Sequence, residues 1–194
     1  MTLGKESRRA LAKAQILDAA WTLAHTKGLA SFTLKEVATS VGVQAPSLYS
    51  YFGSKHSIYD AMFYQGNTEL LARMRRIDLM VPAQRVLQTA ATEFMTFCLE
   101  DSERYQLLFQ RPIPDFEPGA EAYAPAQELY FYLRDSFGAL GITEAQHVDL
   151  WMVLMNGLAA QQLANDPGSS RWAGLVEHAV NMYSGHVLGT GNEV

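Results

Sequence analysis

The sequence predicts an all-α fold of about nine helices, split into a three-helix N-terminal head and a larger C-terminal helical body. Three observations predict it. Apolar residues recur at spacings of three and four along most of the chain. Two short helical patterns meet at Gly42, between Thr33 and Lys55. Charge is divided unevenly: residues 1–55 carry seven basic and three acidic side chains, net +4, and the remainder is −9. The 194 residues suit one large or two small domains, and 48 % apolar with 18 % charged residues marks a globular chain. The boundaries are read as 10–70 for the head and 71–190 for the body, with a two-helix motif at 33–52.

Residues 2–9 read as a mobile basic arm that either lies against a polyanion or is simply solvated. The first helix is expected from about Ser7 to Lys27, with Ile16, Ala20 and Leu23 as its buried stripe. Gly28 ends it, and Leu29 and Phe32 turn inward. Thr33 and Glu36 form a capping box that starts the second helix, whose inner face is Leu34, Val37, Ala38 and Val41. Gly42 stops that helix. A third helix of about two turns opens near Gln44 or Ala45, with Pro46 in its first turn. Leu48 and Phe52 give it an inner side, so Gln44, Ala45, Ser47, Tyr49, Ser50 and Tyr51 face out.

Two short helices joined through a glycine make a helix-turn-helix. Its second helix suits a DNA major groove, with N-terminal residues at base edges. The outward face is short, polar and aromatic, able to exchange hydrogen bonds and touch thymine methyls. The candidate DNA-binding residues are Thr33, Lys35, Gln44, Ala45, Pro46, Ser47, Tyr49, Ser50, Tyr51 and Lys55, the two lysines being placed for phosphates. The basic head can neutralise phosphates by counterion release, while the acidic body is repelled by them. A three-helix packing unit that never meets DNA is the competing reading.

In Gly28, Phe32-Thr33, Val37-Ala38, Val41-Gly42-Val43, Pro46-Ser47-Leu48-Tyr49, Tyr51-Phe52 and Lys55 the chain resembles the TetR/AcrR family of bacterial transcriptional regulators. The resemblance covers about residues 10–65 and weakens beyond them. It implies a dimeric regulator, more often a repressor than an activator, whose C-terminal domain binds a small effector between helices 4 and 8.

The body continues in the same period. Ser54 caps a fourth helix from Lys55 to about Ile77, too long for the head alone and read as the mechanical link. Arg73, Arg75 and Arg76 near its end suit the helix dipole better than a second DNA patch. Pro82 opens a fifth helix to about Leu99, and a sixth follows the acidic break at residues 100–103. Residues 111–125 hold four of the seven prolines, which excludes a regular helix there. This segment is read as a candidate lid with Phe116 and Tyr123 folded inward, or equally as a surface connection. A seventh helix is expected from about Pro125 to Leu140. Thr143 and Gln146 form a second capping box for the eighth, which runs to about Asn165, and a ninth spans about Ser170 to Val187. The tail from Gly189 should fray.

The eighth helix is apolar nearly all round, so it needs cover on several sides. Gly157, Ala160, Gln161 and Ala164 form a small-residue strip, and with Val153 and with Leu175, Ala179 and Tyr183 of the ninth helix they are the candidate homodimer interface. Two copies of the reading helix on a two-fold axis match a palindromic operator. Phe63, Phe94, Phe97, Phe109, Phe116, Tyr130, Trp151 and Met155 are candidate walls for an apolar or aromatic effector, with plain core packing as the alternative for each.

Other classes are less well supported. A lone Glu144-x-x-His147 does not make a metal site, and no Walker or nucleophile-elbow motif occurs, so no catalysis, metal or cofactor is expected. An activator, or a protein of this fold that binds ligand without DNA, stays open. Cys98 is the only cysteine, which rules out an intrachain disulfide, and it reads as a small core residue. The chain lacks a signal-peptide pattern. Its most apolar stretch, Leu150 to Asn165, is too short at ~1.5 Å per residue for a ~30 Å bilayer. A soluble, cytoplasmic protein is expected.

Overall fold

The computed structural model describes residues 4–189. Among them are nine α-helices, one 3-10 turn and no strand. The helices are α1 (Lys5–Lys27), α2 (Leu34–Ser40), α3 (Ala45–Leu48), α4 (Lys55–Met74), α5 (Ala83–Glu100), α6 (Ser102–Phe109), α7 (Ala120–Ala139), α8 (Ala145–Asn165) and α9 (Val176–Val187). They form two compact units. One holds the chain up to Gly66 together with Gln106–Ala124; the other holds Asn67–Tyr105 and the chain from Pro125 onward. None of the helices is long and apolar enough to cross a membrane.

In the first unit, Ile16, Ala20 and Ala24 of α1 are buried together with Leu29, Phe32, Val37, Ala38, Leu48, Phe52, Ile58, Tyr59 and Met62. Leu23, expected in the α1 stripe, is only half-buried, and Ala24 takes its place. Helix α1 starts at Lys5, so residues 5–9 belong to a helix and not to an arm; residues 2 and 3 lie outside the described residues. The capping box at α2 is complete. The Glu36 N–H donates to Thr33 Oγ1 at 3.3 Å, and the Thr33 N–H donates to Glu36 Oε2 at 2.8 Å. Gly42, at φ 70°, ends α2. Its N–H donates to the Thr39 carbonyl and that of Val43 to the Ala38 carbonyl, the paired bonds of a Schellman motif. Helix α3 is shorter than expected, a single turn with Gln44 before it and Pro46 second in it. Beyond Leu48 the backbone continues as tight turns to Phe52.

In the second unit, α5 packs against α8 and α9. Its buried residues Val86, Leu87, Ala90, Ala91, Met95, Phe97 and Cys98 form the core with Val148, Trp151, Met155 and Ala159 of α8 and Ala179, Val180 and Tyr183 of α9. Burial pushes the Cys98 thiol above its ordinary pKa, against the opposing pull of the Arg104 charge, which keeps it an unreactive core group. Arg104 donates to Glu69 Oε2 and to the Phe97 carbonyl, both at 2.8 Å, and its guanidinium lies 3.9 Å from the centre of the Phe97 ring. Arg73 pairs with Glu69 and Glu100, and Arg75 with Glu128, so these arginines are committed to neighbouring carboxylates.

Further boundaries differ from the sequence reading. Helix α7 begins at Ala120, with Pro125 inside it and buried. A proline there forfeits one hydrogen bond, to the Glu121 carbonyl; Glu121 is exposed to solvent, so the helix tolerates the loss. Thr143 does not cap α8: Glu144 precedes the helix, and its Oε2 accepts from Gln146 Nε2 at 2.5 Å. The expected start of α9 is a 3-10 turn at Ala173–Leu175, and the α-helix opens only at Val176. Gln162 explains this connection. It is 1 % exposed; its Oε1 accepts the N–H groups of Trp172 and Ala173, each at 2.9 Å, and its Nε2 donates to the Asp166 and Ser169 carbonyls. The chain is thereby folded around one buried amide. The tail beyond Gly189 falls outside the described residues.

Candidate DNA-reading site

The reading element is a polar surface pinned to the head by two side chains. Leu48 is fully buried and Phe52 is 6 % exposed, which turns the intervening residues outward. Gln44, Pro46, Ser47, Tyr49 and Ser50 are exposed, Tyr49 at 54 %, while Ala45 and Tyr51 are half-buried. The Ser50 hydroxyl donates to the Ser47 carbonyl at 2.7 Å, which tightens the turn that ends α3. Lys35 is exposed on α2.

Two of the ten candidate residues are already engaged inside the head. The Thr33 hydroxyl serves the α2 cap and also donates to Glu36 Oε2 at 2.9 Å. Lys55 donates to the Ala30 carbonyl at 2.8 Å, and its ammonium lies 4.5 Å from the Phe32 ring centre and 5.3 Å from that of Tyr59. Partial burial lowers its pKa, with the Glu36 charge opposing. Its charge faces the head's own carbonyl and rings, so its first role is to tie the chain before α2 to α4.

Two basic residues outside the ten candidates sit against the reading element. Arg9 Nη2 donates to the Ser50 carbonyl at 2.7 Å, and its guanidinium stands 5.6 Å from the Tyr51 ring centre. Lys13 covers the Phe52 ring at 5.6 Å. Their four-residue spacing on α1 was the available signal. The Lys27 ammonium meets Glu36 Oε1 at 2.5 Å. That bond, followed by the Thr33 backbone and hydroxyl bonds, lowers the Glu36 pKa to about 2 and keeps the capping carboxylate ionised.

The candidate effector walls divide between the units. Phe63, Phe109 and Phe116 belong to the first; Phe94, Phe97, Tyr130, Trp151 and Met155 belong to the second. Phe97, Trp151 and Met155 are buried there, and Trp151 packs against Phe137 and Tyr183 with ring centres 5.5 and 5.1 Å apart. Phe94 and Tyr130 are half-buried. The second unit also has an open cleft of about 360 Å³ between the end of α4 and α5, lined by Arg73, Arg76, Ile77, Arg85 and neighbours, and none of the eight candidate residues lines it.

Along α8, Val153 is 70 % exposed and Gly157, Gln161 and Ala164 are exposed in the same stripe, with Ala160 half-buried beside them. On α9 the expected face is rotated. Leu175 is exposed, but Ala179 and Tyr183 are buried in their own unit, and the Tyr183 hydroxyl donates to the His147 carbonyl at 2.9 Å. The exposed row instead runs through Leu175, His178, Met182 and His186.

A single-turn third helix, joined to a capped second helix through a glycine turn, has the form of a helix-turn-helix. Residues 16–62 match the family described as "Bacterial regulatory proteins, tetR family". Among curated proteins, the chain is 34 % identical over 76 residues to the HTH-type transcriptional repressor KstR2 of Rhodococcus jostii, covering 39 % of this chain and 35 % of that protein. It is 28 % identical over 99 residues to the HTH-type transcriptional activator FasR of Mycolicibacterium smegmatis, covering 50 % and 45 %. The matched stretch thus spans less than half the length of either relative. The crystal structure of the transcriptional regulator FadR from Bacillus subtilis, in complex with stearoyl-CoA, shares the fold at a TM-score of 0.65 and 17 % identity, over 88 % of this chain and 96 % of that one.

Proposed function

We propose that the chain is a transcriptional regulator of the TetR family that binds a palindromic operator as a homodimer in the cytoplasm, represses transcription there, and is released by a small apolar or aromatic effector held in the C-terminal part. The observation that carries the reading is the outward face of Gln44, Pro46, Ser47, Tyr49 and Ser50, held over the buried Leu48 and Phe52. Short polar side chains and a tyrosine on a protruding turn suit base edges and phosphates. Lys35 takes a phosphate, Arg9 and Lys13 steady the element, and Ala45 and Tyr51 line its margin.

Dimerisation follows from the size of the reader, since one turn of helix contacts too few base pairs for a unique site. The stripe of Val153, Gly157, Ala160, Gln161 and Ala164, mostly small or apolar and accompanied by the exposed Leu175 and Met182, supports a face between two copies. The effector reading draws on the aromatic side chains of the second unit and on the acyl-CoA ligand named for FadR. Repression draws on the relative KstR2; the activator FasR keeps the opposite sign as a second reading. The effector acts only through different affinities for the operator-bound and free states. Titrating candidate ligands, fatty acyl-CoA thioesters first, into an operator complex tests this: operator affinity falls at saturation if the reading holds and stays constant if it does not.

A further inference from the structure

The segment that reads in the sequence as either a lid or a surface connection belongs to the first unit. Phe116 is 8 % exposed, and its ring lies parallel to that of His56, with centres 5.9 Å apart and planes at 6°. The same ring is 5.4 Å from that of Tyr59. Three residues on, the Gly119 N–H donates to Asp60 Oδ1 at 2.9 Å, and Tyr123 stacks on Phe63 at 6.0 Å. His56, Tyr59, Asp60 and Phe63 are spaced i, i+3, i+4 and i+7, so the segment runs along one face of the first turns of α4. Its path includes two non-glycine residues in the left-handed region, Arg111 at φ 47° and Asp115 at φ 58°. Between and beside them Ile113 and Phe116 are buried, each 8 % exposed.

The other partners of this α4 face lead to the reading motif. The Tyr59 hydroxyl donates to the Leu29 carbonyl at 2.5 Å, and its ring meets that of Phe32, the residue before the α2 cap, at 5.6 Å. Phe116 therefore touches the tyrosine that anchors the entry to the helix-turn-helix. We propose that residues 113–119 form a clamp on α4, in which Phe116, His56 and Asp60 are positioning residues that fix the register of α2 and α3 and thereby set sequence discrimination on DNA. The inference rests on the operator-binding reading above. It gives the segment a role in DNA reading that its distance in sequence from the motif conceals.

The test uses the full chain and the duplex that the wild type enriches from a random pool, with a scrambled duplex of equal length for comparison. Affinities are measured by fluorescence anisotropy for Phe116→Ala, Phe116→Trp, His56→Ala and Tyr49→Ala. The clamp predicts that Phe116→Ala lowers the ratio of selected to scrambled affinity about tenfold, that His56→Ala lowers it severalfold, and that Phe116→Trp restores most of it. Hydrogen exchange at residues 29–34 should quicken in Phe116→Ala and His56→Ala. A ratio unchanged in both alanine variants, while Tyr49→Ala abolishes discrimination, overturns the clamp and leaves operator reading intact. A wild type that enriches no duplex overturns both. His56 is exposed, so its alanine variant keeps the test open even where Phe116→Ala fails to fold.

Discussion

The hydroxyl of Tyr59 donates to the carbonyl oxygen of Leu29 at 2.5 Å, joining α4 to the turn that leads into the helix-turn-helix. Leu29 is 4 % exposed and Tyr59 1 %, so water cannot replace this bond. Tyr59→Phe should destabilise the protein by about 1–3 kcal/mol, the cost of a buried acceptor left without a donor. A lower urea midpoint with an unchanged slope is the expected result. Burial also raises the Tyr59 pKa from 10.0 to about 12. The unfolded chain therefore loses this proton first as pH rises. The contribution is complete below pH 10 and is lost between 10 and about 12. Tyr59→Phe should flatten that part of the stability profile.

The capping carboxylate gives the opposite sign. Glu36 titrates at about 2 in the folded protein against 4.5 ordinarily, chiefly because of the Lys27 bond and then the Thr33 bonds. Its stabilisation is present above about pH 4.5 and disappears as pH falls toward 2. Unfolding midpoints of wild type and Glu36→Gln should differ at pH 7 and converge below pH 3. Thr33→Ala, which removes the other half of the box, should cost about 1 kcal/mol at neutral pH.

Gly42 has open space around the position of a Cβ but sits at φ 70°. Gly42→Ala should thus cost about 1–2 kcal/mol through backbone strain alone, without a steric clash. Operator affinity should fall further than stability, because this turn sets α3 against α2.

Gln162 satisfies four backbone groups between α8 and the 3-10 turn. Gln162→Leu keeps the bulk but removes every bond and should cost at least about 2 kcal/mol. Urea unfolding measures the loss. Local loosening at residues 166–175 by hydrogen exchange would place it at this connection.

Val153 is the most exposed apolar residue of the α8 stripe. Val153→Asp should convert a dimer to a monomer in sedimentation at micromolar concentration, with little change in helix content. It should also weaken operator binding by far more than half-site binding.

Much of the head was legible because its signals are local. The Thr33–Glu36 box, the Gly42 stop and the Pro46 start each involve residues within four positions, and each appears where the spacing placed it. The docking of Phe116 on His56 and Tyr59 was hidden because it joins residues almost sixty positions apart and has no period. The α9 face was misjudged by rotation: Ala179 and Tyr183 share a stripe with Val176 and Val180, and that stripe faces α5 and α8. Proline count misled the reading of residues 120–125, since a single proline in the early turns of a helix removes one bond and does not prevent the helix. Lys55 was read as a phosphate ligand because it follows the motif; its position over Phe32 and Tyr59 depends on tertiary packing.

Selection of bound duplexes from random DNA by the full chain tests operator reading most directly. The account predicts enrichment of one palindrome whose half-sites lie about 34–36 Å apart or a multiple of that, with enrichment lost in Tyr49→Ala. A pool that stays random after repeated rounds at low salt, with wild type and Tyr49→Ala indistinguishable, would contradict it.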